Sequence, residues 1–87
     1  MPDIVIYSSG FCPYCSWAKK MLDGRQASYS EIRIDQVEGA QQEMLSKSEG
    51  QMTVPQIFIG SFHVGGYTDM VKLDQQGQLD PLLQESN

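Results

Sequence analysis

The chain has two cysteines, Cys12 and Cys15, separated by Pro13 and Tyr14. A structural disulfide stabilises by closing a long loop in the unfolded chain, and this pair closes almost none. A closed zinc site needs four ligands, which two cysteines and the single histidine, His63, do not supply. Inert buried thiols, or a metal cluster shared between two chains, are minor readings. The spacing fits a dithiol that cycles to a disulfide and back.

Such a pair works best where a strand delivers it to the start of a helix. Ile4-Val5-Ile6-Tyr7 is short, apolar and rich in β-branching, as a strand requires. Residues 8–11 form the loop beyond it. Cys12 then takes an N-cap-like position, and Pro13 the first helical one, where a missing N–H does no harm. The helix is expected to run to about residue 22, with Cys15, Ala18 and Leu22 on one stripe. Asp23-Gly24 ends it. Unpaired N–H groups and the positive end of the helix dipole favour thiolate over thiol at Cys12. Cys12, at the open end, is the expected nucleophile. Cys15, one turn later on the buried stripe, is expected to resolve a mixed disulfide.

The rest of the chain must complete a sheet around that strand. Residues 28–34 alternate in a strand pattern. A helix is expected over residues 38–47, with Ala40 and Met44 inward, and Glu49-Gly50-Gln51 stops it. Gln56-Ile57-Phe58-Ile59 reads as a third strand. Gly60-Ser61, a two-residue link with glycine first, predicts a type II′ turn into Phe62-His63-Val64. Gly65-Gly66 breaks that strand, and short helices follow over residues 68–75 and 79–83. The order is that of an α/β protein with a mixed sheet and helices on both faces. Residues 1–87 make one domain.

Composition excludes some partners. Eleven acidic against six basic residues give a net charge of -5, the wrong sign for nucleic acid. No apolar run approaches the roughly 20 residues of a membrane span. The first residues lack a secretory pattern, so a cytoplasmic location and no membrane partner are expected.

Three segments, in this order and spacing, resemble the dithiol glutaredoxin family in its short bacterial form. They are Cys12-Pro13-Tyr14-Cys15, Thr53-Val54-Pro55-Gln56-Ile57-Phe58-Ile59 and Gly65-Gly66-Tyr67-Thr68-Asp69. The resemblance covers nearly the whole chain. It implies a thioredoxin-like fold, a four-stranded mixed sheet in the order 2-1-3-4. It also implies a monomer that reduces protein disulfides and glutathione mixed disulfides. No cofactor or metal would be bound, and glutathione would be an electron-donating cosubstrate. Ribonucleotide reductase, sulfur-assimilation reductases and glutathionylated proteins are the implied protein partners. The class potential is about -200 to -230 mV.

The same resemblance implies the site residues. Tyr14 shapes a glutathione groove near its glycyl end. Thr53 and Val54 precede a cis Pro55, and the Val54 N–H and C=O pair with the cysteinyl backbone. Gly66, Tyr67 and Thr68 receive the γ-glutamyl carboxylate at a helix N-terminus. Asp69 either meets the glutamyl amine or caps that helix. Gln41 or Gln42 helps to hold the glycyl carboxylate. Trp17 is expected to be partly buried against the core or the groove edge, and His63 to be structural.

Two positions depart from the family pattern. A lysine usually stands three residues before the first cysteine, and here that residue is Ser9. The position after Gly65-Gly66 is often cysteine, and here it is Tyr67. Ser9 keeps open a thioredoxin-like donor recycled by a flavoprotein reductase. The resemblance leaves a second alternative, an iron–sulfur cluster carrier, since glutaredoxin-like dimers can share a cluster through one cysteine per chain plus glutathione.

Overall fold

The computed structural model describes residues 3–84. Eight elements follow in order: β1 (Ile4–Ser8), α1 (Pro13–Gly24), β2 (Ser30–Arg33), α2 (Ala40–Lys47), β3 (Gln56–Ile59), β4 (Phe62–Gly65), α3 (Tyr67–Gln75) and α4 (Leu79–Gln84). The four strands form one sheet in the order β2-β1-β3-β4. β1 runs parallel to β2 and antiparallel to β3, and β3 is antiparallel to β4. This is the mixed sheet expected from the sequence, in the thioredoxin-like order.

Alternation along β1 and β3 divides the side chains between two faces. Ile4, Ile6, Ile57 and Ile59 pack with Ala18, Leu22, Met70, Leu79 and Leu83 from α1, α3 and α4. Leu22, Met70 and Leu79 are fully enclosed. Burying a side chain of that size contributes roughly 1.5–3 kcal/mol. The opposite face carries Tyr7, whose hydroxyl donates to Glu43 Oε2 of α2 at 2.6 Å. Tyr7 also meets Phe58 edge-on. Burial, then the hydrogen bond and charge of Glu43, push the Tyr7 phenol above its ordinary range.

Helix boundaries depart from expectation where backbone conformation overrides residue type. Gly24 is still helical, and the left-handed residue that ends α1 is Gln26, at φ +57°. The Ala27 N–H then closes on Leu22 O at 3.0 Å, a Schellman-type ending. α2 begins at Ala40 because Gly39 turns to φ +81°. The hairpin behaves as read. Gly60 takes φ +60° between the paired residues Ile59 and Phe62.

No helix among the described residues is long and apolar enough to cross a membrane.

Candidate active site

Cys12 caps α1 and Pro13 opens it. The two cysteines are joined as a disulfide. Cys15 is buried, at 2% exposure, while Cys12 is half-buried. An incoming thiolate therefore reaches the Cys12 sulfur first. The Cys15 N–H points at Cys12 Sγ, 3.1 Å away. After reduction the same N–H donates to a Cys12 thiolate, which favours the ionised form.

The loop before Cys12 is held from the side. The Gly10 N–H donates to Asp35 Oδ2 at 3.1 Å, and Asp35 is paired with Arg33. Arg33 lies so close that a Cβ on Gly10 would sit 2.7 Å from its Nη2. Ser9 offers no charge here. Lys19 is turned away: its ammonium lies 2.9 Å from Glu31, which also accepts from Ser8 Oγ. Those two hydrogen bonds, Ser8 first and then Lys19, hold the Glu31 carboxyl below its usual range.

A second segment faces the cysteines. The Val54–Pro55 peptide is cis, and Val54 O lies 3.8 Å from Cys12 Sγ. Pro55 is buried and Val54 half-buried. Beside them runs an open groove of about 320 Å³, lined by Tyr14, Gln51, Thr53, Val54, Pro55, Gln56, Gly66, Tyr67, Thr68 and Asp69. The N-terminus of α3 forms one bank. Gly66 caps it, and the Gly66 N–H donates to Asp69 Oδ2 at 2.9 Å. Of the two roles open for Asp69, the helix cap is thus observed. The first-turn N–H groups have no partner within the helix. Gly65, at φ +105°, turns β4 into this helix, and a Cβ there would collide with the Asp69 carboxylate.

Three aromatic rings cluster beside the groove, two of which, Tyr14 and Tyr67, line it. Tyr14 meets Trp17 edge-on at 5.3 Å between centroids, and Tyr67 lies 6.1 Å from Tyr14 and 5.8 Å from Trp17. Tyr14 and Trp17 are each about half exposed. Trp17 packs beside Tyr14 and Tyr67 and is not itself among the residues lining the groove.

The fold brings together Cys12, Cys15, Tyr14, Thr53, Val54, Pro55, Gly66, Tyr67 and Thr68. It places Gln41 and Gln42 elsewhere, in a separate depression with residues 34–39. Gln51, not singled out from the sequence, lines the groove instead, as does the buried Gln56. Among the described residues, no three His, Cys, Asp or Glu side chains are grouped to hold a metal ion.

Known proteins share this sequence and fold. The family model for glutaredoxin matches residues 4–64. A glutaredoxin of Neisseria meningitidis is 48% identical over 84 residues, spanning 95% of this chain and 98% of that protein. Glutaredoxin 3 of Escherichia coli is 45% identical over 83 residues, spanning 95% and 99%. Among solved structures, a buckwheat glutaredoxin–glutathione complex aligns with a TM-score of 0.83 at 37% identity, over 92% of this chain and 74% of that one. With a cysteine pair at the helix start, a cis-proline segment beside it and these relatives, the chain belongs to the glutaredoxins, a family of thiol–disulfide oxidoreductases.

Proposed function

We propose that this chain reduces protein disulfides and glutathione mixed disulfides, with glutathione as its electron donor. The observation that carries the reading is the groove beside Cys12, with a helix N-terminus at one bank and an open backbone segment at Val54. A glutathione sulfur linked to Cys12 would leave the tripeptide along Val54, whose N–H and C=O suit an extended backbone. The N-terminus of α3 suits the γ-glutamyl carboxylate. Asp69 uses Oδ2 for its cap, so its other oxygen can receive the glutamyl ammonium. Tyr14 and Tyr67 supply apolar walls. The buckwheat relative was solved as a glutathione complex.

The chemistry follows from the burial of the two sulfurs. In the reduced protein the Cys12 thiolate attacks a substrate disulfide, forms a mixed disulfide and expels one substrate thiolate. The Cys15 thiolate then attacks Cys12 Sγ, which expels the second substrate thiolate and closes the Cys12–Cys15 disulfide. One glutathione thiolate opens that disulfide at Cys12, and Cys15 leaves as thiolate and takes a proton. A second glutathione attacks the glutathione sulfur, which frees Cys12 as thiolate and releases oxidised glutathione. Two electrons pass from two glutathiones to one substrate disulfide. No resident cofactor is needed. A monomer in a reducing compartment such as the cytoplasm fits this cycle, with ribonucleotide reductase among its candidate substrates.

A coupled assay tests the donor. Turnover of a protein disulfide with glutathione, glutathione reductase and NADPH is expected. Turnover with thioredoxin reductase alone would overturn the proposal in favour of a thioredoxin-like donor.

A further inference from the structure

Gln56 is a buried amide, 1% exposed, on the strand that follows the cis proline. Its Nε2 lies 3.0 Å from Thr53 O, 3.1 Å from Thr53 Oγ1 and 3.3 Å from Gln51 Oε1. A backbone carbonyl can only accept, so the amide nitrogen must occupy that end. The amide oxygen therefore points the other way, to His63 Nε2 at 2.6 Å. An amide oxygen can only accept as well, so His63 Nε2 carries a proton. The ring is held in place by stacking on Phe58, 4.6 Å between centroids and 16° from parallel.

The other end of the loop is also fastened. Ser48 Oγ lies 3.0 Å from Gln51 O, and the Gln51 N–H donates back to Ser48 Oγ at 3.1 Å. Residues 51–53 are thus tied at one side to the end of α2 and at the other to β3 and β4. The next residue is Val54, whose carbonyl faces Cys12.

We propose that His63 is a positioning residue for the Val54 segment, acting through the Gln56 amide. His63 itself is not among the residues lining the groove. Its N–H selects the orientation in which Gln56 can hold Thr53. Without that donor, the Gln56 oxygen is left buried and unpaired, and rotating the amide to escape would release the Thr53 carbonyl. The groove would then lose the pre-organisation that lowers the cost of ordering a bound backbone. This inference rests on the glutathione reading for its kinetic consequence, though not for its structural one.

The test uses the whole protein and a glutathione mixed disulfide of a cysteine peptide. His63→Phe keeps an aromatic ring on Phe58 and removes the donor. Its KM should rise about five- to tenfold, with a smaller fall in kcat. His63→Gln, which supplies an amide N–H near the Nε2 position, should recover most of that loss. Gln56→Met should match His63→Phe or exceed it, and the double variant should be no worse than Gln56→Met alone. A KM within about twofold of the parent for His63→Phe, or effects of the two substitutions that multiply, overturns the proposal. Should Gln56→Met not fold, the two His63 variants carry the test. Hydrogen exchange at the Gln51 N–H, which donates to Ser48 Oγ, reads the same loop without glutathione. His63→Phe should accelerate it about fivefold relative to the amides of β1, and unchanged exchange overturns the proposal. If the parent protein fails to turn over the mixed disulfide, the glutathione reading falls, and exchange alone decides the role of His63.

Discussion

A lysine introduced at residue 9 should make Cys12 a faster nucleophile. The support for a Cys12 thiolate here is the start of α1 and the Cys15 N–H at 3.1 Å. The cations that could add to it are engaged elsewhere, Lys19 with Glu31 and Arg33 with Asp35. A cation held about 6 Å from the sulfur, at an effective dielectric of about 40–80, contributes about 0.7–1.4 kcal/mol. That is about three- to tenfold more thiolate at a pH below the thiol's pKa. The gain in rate is smaller, because a stabilised thiolate is less nucleophilic. With a Brønsted coefficient of about 0.4–0.5, a net gain of about two- to fourfold remains. The assay is iodoacetamide alkylation in a Cys15→Ser background, where Cys12 is the lone thiol and the residue-15 N–H is retained. Added salt should shrink the gain, since the interaction lies near the surface. An alkylation rate unchanged by Ser9→Lys, or a gain indifferent to salt, would show that a charge at residue 9 does not act on the Cys12 thiolate.

Other expectations follow from the ion pairs and the backbone. The Tyr7 phenol is raised above its ordinary 10.0 by burial and by Glu43. Its contribution is therefore present below about pH 10 and lost as pH rises above that value. Tyr7→Phe should cost about 0.5–1.5 kcal/mol at neutral pH and flatten the alkaline decline in urea unfolding. Glu31 is held below its ordinary 4.5 by Ser8 and Lys19, so its contribution is present above that value and lost as pH falls through the lower folded pKa. Glu31→Gln should lower the urea midpoint at neutral pH and reduce the acid dependence below about pH 4.5. Gly65→Ala should destabilise by at least about 1–2 kcal/mol in urea, because the φ of +105° and the Asp69 carboxylate both oppose a Cβ.

Much of this was legible in local pattern. Cys15, Ala18 and Leu22 fall on one helical stripe, and all three are buried in α1. Gly60-Ser61 sets the hairpin turn, and β3 and β4 pair from it as far as Phe58 and His63, beyond which the register shifts so that Ile57 meets Gly65. The sheet order and the groove residues came from resemblance, because no local periodicity says which strand sits beside β1. What stayed hidden depends on register between distant segments. Gln56 reads as the polar start of a strand, but its pairing with Tyr7 in β1 buries it. His63 reads as a strand residue with a structural role, and only the hairpin shows that it stands opposite Phe58 and against the Gln56 amide. Gln41 and Gln42 are candidates through the resemblance alone, and the segment between α2 and Thr53 does not choose between them. The left-handed turn at Glu49 and Gly50 after α2 brings Gln51 to the groove instead. The left-handed ending of α1 at Gln26 carries no signal in residue type, since glutamine rarely adopts that conformation.

In the proposed cycle Cys12 carries the glutathione chemistry and Cys15 only resolves. This is tested most directly by steady-state reduction of a glutathione mixed disulfide, coupled to glutathione reductase, with the parent protein, Cys12→Ser and Cys15→Ser. The parent should turn over, Cys12→Ser should be inactive, and Cys15→Ser should remain active on the mixed disulfide while losing dithiol reduction of a protein disulfide. Equal loss in both variants, or no turnover by the parent, would rule out this division of roles between the two cysteines.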